Sequence, residues 1–342
     1  MNTVSLYVVA LLLAGALTAG SLPVLRRLLG TLFIDAPGGL KQHTHAVALV
    51  GGCGIMLGLS ASLIFIRYTT NFQTGTLHSL RGVLCGAAII FALGIWDDLT
   101  KPHGVGVLPK LALQALATLC LIAYGIHISL EGWPLLSYSL TFLWVIGLTN
   151  AFNLLDIRDG LCVGQAVICS LGLLFITLPD EYIYVNFCAC ALLGSCLGFW
   201  PYNHRRRSKI FLGDSGSTLL GFLLAALAMA ADYSEHSHIG FLAPLLIFSV
   251  PLFDTSFVSI TRLAKHKNPL HASKDHAALR LSKKGFSDKT VLAVFMLAGI
   301  LFNALAFLVI QLKTPAALAV YLLTFLLWIA AGIYLARIRM DA

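Results

Sequence analysis

Eleven apolar runs, each close to the length that crosses a hydrocarbon layer, limit what this chain can fold into. They cover residues 4–24, 47–66, 82–96, 108–126, 135–154, 161–178, 182–200, 216–231, 240–260, 290–311 and 315–336. About 20 apolar residues at 1.5 Å rise span the bilayer core. Charged residues make up 11% of the chain, where a water-soluble domain carries about 25%. The runs leave no room for a separate soluble domain. Residues 1–342 therefore read as a single all-α, polytopic integral membrane domain of about eleven transmembrane helices, with its chemistry in the loops.

Alternate loops differ sharply in basic residues. Of the 23 Lys and Arg, all but Arg67, Arg81 and Lys313 fall on one side. The basic side of a membrane protein is the cytosolic one, so the amino terminus is expected outside and the carboxyl terminus in the cytosol. Met1-Asn2-Thr3 lacks the positive start of a secretory signal, and the first run reads as a retained helix. The net charge of +8 sits on the cytosolic face, where it attracts lipid headgroups and nucleotide phosphates; a polytopic chain argues against nucleic acid. All eight cysteines lie in apolar runs with no CxxC spacing, so they are read as packing sulfur. The glycines at 51, 52, 54 and 58 suit either close helix approach or a backbone that hugs substrate.

Against this background the aspartates stand out. Asp97-Asp98 end one run, Asp156 and Asp159 close another, and Asp214 opens a third in Phe-Leu-Gly-Asp-Ser-Gly-Ser. Ionised carboxylates beside hydrocarbon cost on the order of several kcal/mol each unless offset. Adjacent aspartates at a helix end project about 100° apart and can reach one site beyond it; marking the membrane exit is the plain alternative. Lys110 can face the same place or simply snorkel to the interface.

In Asn150-Ala-Phe-Asn153-Leu-Leu-Asp156-Ile-Arg-Asp159, a continued helix would put Asn153, Asp156 and Asp159 in one arc, with Asn150 further round. That arc suits a metal, a ribose or a diphosphate; a polar helix end stopped at Gly160 is the bland reading. Asp214 is either a ligand-facing acid at a helix amino terminus or an N-cap. His43 and His45, and later His271 and His276, are loop histidines that are solvated or functional. Aspartates gathered at about 4–6 Å would repel one another. Mg²⁺ relieves that, held by one or two carboxylates with phosphates and water. Phosphoryl transfer needs little more.

These motifs resemble those of the polyprenyl-phosphate N-acetylhexosamine-1-phosphate transferase family. Asp35-x-Pro37-x₃-Lys41-x-His43 with Gly51-Gly52 resembles its first inner motif, and Asp97-Asp98 with Lys110 and Gln114 its aspartate pair. Asn150–Leu161 and Phe211–Ser217 resemble two further motifs, and Pro251-Leu-Phe-Asp254-Thr255 with Arg262 also matches. The chain departs from the family pattern at Ile157, where Gly is usual. It departs again in the last loop, where a histidine-rich motif survives as His276-Ala-Ala-Leu279-Arg280.

The resemblance implies a multi-pass protein of the inner (cytoplasmic) membrane with a cytosolic active site. It implies transfer of a sugar 1-phosphate from a UDP-sugar to undecaprenyl phosphate, releasing UMP and initiating a surface polysaccharide. UDP-GlcNAc or a related N-acetylated hexosamine is the expected donor. By the same resemblance Asp97, Asp98 and Asp159 are catalytic, and Asp214 with Asp98 binds Mg²⁺, with Mn²⁺ as the substitute. Lys41, His43, Lys110, Asn150, Asn153, Asp156, His276 and Arg280 contact substrate. A homodimer is a further expected partner. A MurNAc-pentapeptide donor is the alternative within the family, and a secondary transporter the alternative from another class, for which Asp254 beside Pro251 would suit.

Overall fold

The computed structural model describes residues 3–35, 46–70, 74–179, 182–204, 208–231, 233, 239–269 and 273–340. It contains thirteen α-helices and one short antiparallel strand pair among those residues, in two compact units divided at Ala231. The first unit holds α1 (Thr3–Leu29), α2 (Gly51–Thr69), α3 (Thr74–Leu99), α4 (Val107–Ala123), α5 (Pro134–Leu155), α6 (Leu161–Thr177), α7 (Ile183–Asn203) and α8 (Asp214–Ala228). The second holds α9 (Ala243–Ile247), α10 (Ser249–Ala264), α11 (Ala277–Lys283), α12 (Asp288–Gln311) and α13 (Thr314–Ala336).

Each apolar run of the sequence overlaps one or two α-helices, but the runs differ in reach. Among the described residues seven helices are long and apolar enough to cross a membrane, namely α1, α2, α3, α5, α7, α12 and α13. Gly240–Ile247 and Ser249–Ala264 form an eighth if taken as one span bent by 72°. Helices α4, α6 and α8 are apolar but have only 17, 17 and 15 residues. The chain is thus an all-helical, multi-pass membrane protein. The run at 82–96 is the middle of a 26-residue helix. The run at 47–66 begins not as helix but as strand, because Val47–Ala48 pair antiparallel with Ile34–Asp35. Helix α2 starts only at Gly51.

Helix α8 is the axis of the first unit. Every residue from Ser215 to Ala228 is buried, as expected of a helix that is apolar or small on all sides. It packs against α2, α3, α5 and α6. Its approach segment is pinned as firmly. Phe211 N–H donates to Ala48 O (2.9 Å), and Gly51 and Gly52 N–H donate back to Phe211 O and Leu212 O (3.0 and 2.9 Å). Two short extended segments therefore fix where α8 begins.

Small residues let the helices close on that point. A Cβ on Gly52 of α2 would lie 2.4 Å from Gly216 N, and one on Gly94 of α3 would lie 2.3 Å from Ser215 Cα. The first turn of α8 is wedged between α2 and α3. A Cβ on Gly58 would strike Thr18 and Ala14 of α1. The glycines of α2 therefore serve close helix packing, the first of the two uses open to them in sequence.

In the second unit, α12 and α13 expose most of their surface, with 22% and 11% of their apolar windows buried. This suits helices whose outer faces meet lipid.

Candidate active site

The end of α3 places Asp97 and Asp98 side by side on its last turn, each only 2% exposed. Both carboxylates have close partners on each oxygen. Asp97 Oδ1 accepts the backbone N–H of Val105 (2.5 Å), and its Oδ2 meets Lys110 Nζ (2.6 Å) from the first turn of α4. Asp98 receives the start of α8: its Oδ1 accepts Asp214 N–H (2.9 Å) and its Oδ2 accepts Ser215 N–H (3.0 Å). The free amides at a helix start carry a partial positive charge, so Asp98 acts as a cap supplied from another helix.

Gly213, immediately before α8, has φ +76°, and a Cβ there would lie 2.6 Å from Asp98 Oδ2. Only glycine meets both conditions. The glycines around Asp214 thus have a specific role: they let α8 start against the carboxylate of α3. Asp214 itself is the first helical residue, with Gly213 in the N-cap position.

Two lysines close the cluster. Lys101 Nζ lies 3.0 Å from Asp98 Oδ1 and 3.4 Å from Asp214 Oδ1. Lys110 Nζ, bound to Asp97, also lies 3.6 Å from Asp214 Oδ2. Each oxygen of Asp214 thus faces one ammonium group. Burial works against the charge of Lys101, but Asp214 and Asp98 outweigh it and hold the ammonium above the ordinary lysine range. Asp214 is the most open of the three acids, its side chain 22% exposed against 3% and 0% for Asp97 and Asp98.

The Asn150–Asp159 segment follows a different path from the continued helix expected of it. Helix α5 ends at Leu155 and Asp156 is its C-cap; α6 restarts after Gly160, which has φ +75°. The polar residues therefore do not share one helical arc, because the chain turns between them. Asn153 accepts a hydrogen bond from Ser217 Oγ of α8 (2.7 Å). Asp156 lies within electrostatic reach of Asp214 and Lys101. Burial, reinforced by the charge of Asp214, pushes its carboxyl up to about 7. Asp159 is exposed and paired with Lys209, whose ammonium also lies over the Phe211 ring. Asn150 exchanges hydrogen bonds with Gln114 of α4 (3.3 and 2.8 Å), an amide pair that joins α4 to α5.

Lys41 and His43 lie outside the described residues. His276 and Arg280 belong to the second unit. His276 Nδ1 is 2.7 Å from Asp254 Oδ2, and Asp254 Oδ1 accepts Ala277 N–H (2.8 Å) at the start of α11. Arg280 is 1% exposed. Its guanidinium donates to Leu335 O (3.1 Å) and Ile338 O (2.7 Å) at the end of α13, and pairs with Asp275 (2.8 Å). It binds the protein's own backbone.

Sequence reasoning missed Lys101 as a site residue and counted it only among loop cations. The available signal was its position three residues after Asp98, a spacing that brings side chains together at a helix end.

Residues 80–232 match the family model described as glycosyl transferase family 4. The chain is 30% identical over 280 residues to a probable undecaprenyl-phosphate N-acetylglucosaminyl 1-phosphate transferase of Bacillus subtilis, covering 79% of this chain and 75% of the relative. It is 28% identical to the decaprenyl-phosphate N-acetylglucosaminephosphotransferase of Mycolicibacterium smegmatis, with coverage of 76% and 71%. It is 24% identical to the undecaprenyl-phosphate alpha-N-acetylglucosaminyl 1-phosphate transferase of Escherichia coli K12, with coverage of 80% and 76%.

Proposed function

The chain belongs to the polyprenyl-phosphate N-acetylhexosamine-1-phosphate transferase family, and we propose that it moves GlcNAc 1-phosphate, or a close N-acetylated relative, from a UDP-sugar to undecaprenyl phosphate. In that reaction an oxygen of the lipid phosphate bonds to the phosphorus carrying the sugar, the diphosphate P–O bond breaks, and UMP leaves. The observation that carries the reading is the cluster of Asp97, Asp98 and Asp214 with Lys101 and Lys110, assembled where α3, α4 and α8 end or begin. Acids at helix ends suit a reaction between a water-soluble donor and a lipid. A transporter would place them near the bilayer midplane.

The residues divide the work by their contacts. Asp98 spends both oxygens on the start of α8 and on Lys101, which supports a holding role. Asp97, held by Val105 N–H and by the Lys110 ammonium that also faces Asp214, is the group assigned to take the proton of the lipid phosphate. Lys110, between Asp97 and Asp214, offsets phosphate charge. Asn153 and Asp156, beside α8, orient the donor, with Asp159 and Lys209 at the more exposed rim.

The donor set suits Mg²⁺: the acids are hard oxygen ligands, and Mg²⁺ takes only one or two protein carboxylates. Asp214, assisted by Asp98, would hold it. Among the described residues no three His, Cys, Asp or Glu form a ready-made cage, so phosphate and water would complete the shell. The ion would neutralise charge building on the phosphoryl oxygens.

We further read all eleven apolar runs as membrane crossings or re-entrant segments of the cytoplasmic membrane, with the acidic cluster facing the cytosol and the product serving a surface polysaccharide.

The test is UMP release by detergent-solubilised protein given undecaprenyl phosphate, Mg²⁺ and a panel of UDP-N-acetylhexosamines. Release that requires lipid and metal supports the proposal. Silence across the panel from folded protein refutes it.

A further inference from the structure

We propose that Lys101 is a displaceable counter-ion: it holds Asp98 and Asp214 together while no divalent cation is bound, and turns to a substrate phosphate when one binds. The inference rests on the proposed cation at Asp214 and adds a role for a residue outside the family motifs quoted above.

The argument begins with the charges. Three carboxylates and two ammonium groups share the cluster, so its acids outnumber its bases. Both oxygens of Asp214 face an ammonium group, Oδ1 Lys101 at 3.4 Å and Oδ2 Lys110 at 3.6 Å. A cation that binds Asp214 therefore competes with an ammonium group at either oxygen.

The two lysines are not equivalent. Lys110 has a stronger partner elsewhere, Asp97 at 2.6 Å, and stays on α4 whatever happens at Asp214. Lys101 has as partners Asp98 and Asp214, the same pair that would ligate the ion. It also stands just past the end of α3, outside the helix, with a side chain 22% exposed. Lys101 competes with the cation for both of its partners and is the one to leave. Once released, the ammonium lies beside the site where a diphosphate would add negative charge, and pairing with phosphate is the nearest way to restore neutrality.

Two measurements without turnover test this. The first is Mn²⁺ binding followed by electron paramagnetic resonance. Lys101→Met should bind Mn²⁺ roughly tenfold more tightly than the native chain, because a competing positive charge is gone. Lys101→Arg should bind as the native chain does. The second uses the native chain alone, so it does not depend on a variant folding. An amine-acylating reagent should modify Lys101 several-fold faster when Mn²⁺ is present, with Lys209 unchanged, read by mass spectrometry of the peptides.

Equal or weaker Mn²⁺ binding by folded Lys101→Met, or acylation of Lys101 indifferent to Mn²⁺, overturns the proposal and makes Lys101 a fixed structural cation. A native chain that binds no Mn²⁺ overturns the cation itself, a separate failure that falls on the proposed function.

Discussion

The two units each bury a knot of charged side chains, and they treat it in opposite ways. In the second unit Asp275 is matched by Lys265 and Arg280, Asp254 by His276 and a backbone amide, and the Arg280 guanidinium is satisfied by carbonyls at the end of α13. The charges cancel and the donors are consumed. In the first unit three carboxylates face two lysines, and Asp214 keeps a partly open face. Charge that a fold neutralises with its own groups is architecture. Charge left in excess, at a surface a ligand can reach, is a site.

That contrast can be broken by substitution, since the first knot should answer in activity and the second in stability. The largest effect is expected from Asp214→Asn. UMP release should fall about a hundred- to a thousandfold, the scale seen when one main electrostatic contact to developing charge is lost. Thermal unfolding should stay within a few degrees of the native value. A variant that unfolded instead would make the first knot as structural as the second. Arg280→Met comes next. Removing one partner of a buried pair typically costs about 3–5 kcal/mol, so helix loss on heating or in denaturant should move far to milder conditions.

A smaller effect sharpens the comparison at the border of packing and chemistry. In Gly52→Ala the new methyl carbon would lie 2.4 Å from Gly216 N. Overpacking of about 1–3 kcal/mol should lower stability and activity together, since the displaced backbone carries Asp214. The smallest effect is that of acid on the second unit. Burial opposes the charge of Asp275, but hydrogen bonds from Lys265 and Ser273 outweigh it and hold the carboxyl below the usual aspartate range. Its stabilisation is thus present above about pH 4, the unfolded value, and is lost as pH falls through the lower folded value. Unfolding curves at pH 5 and pH 3 should separate in the native chain and separate less in Asp275→Asn.

Much of this arrangement is legible in the sequence because hydropathy and charge act locally. The apolar runs became mostly helix, seven or eight of them long enough to cross a membrane among the described residues, and Asp97, Asp98 and Asp214 came together with Lys110 as their positions at run ends suggested. What stayed hidden depends on contacts far apart along the chain. Arg280 reads as a loop cation open to substrate until the carbonyls of Leu335 and Ile338 are seen beside it. Asn150 reads as a ligand group, but Gln114, 36 residues away, engages its amide. The common arc of Asn153, Asp156 and Asp159 assumes an unbroken helix. The chain turns at Gly160, whose positive φ a side-chain-bearing residue would resist.

The wedge at the start of α8 has a consequence for how such a protein can vary over generations. Gly52, Gly94 and Asp214 are scattered over more than 160 positions of the chain, yet a methyl group added at either glycine would strike the first turn of α8, on which the acid sits. They are heritable as one unit. Lineages can rework lipid-facing surfaces freely, while the socket that holds Asp214 admits almost no intermediate steps.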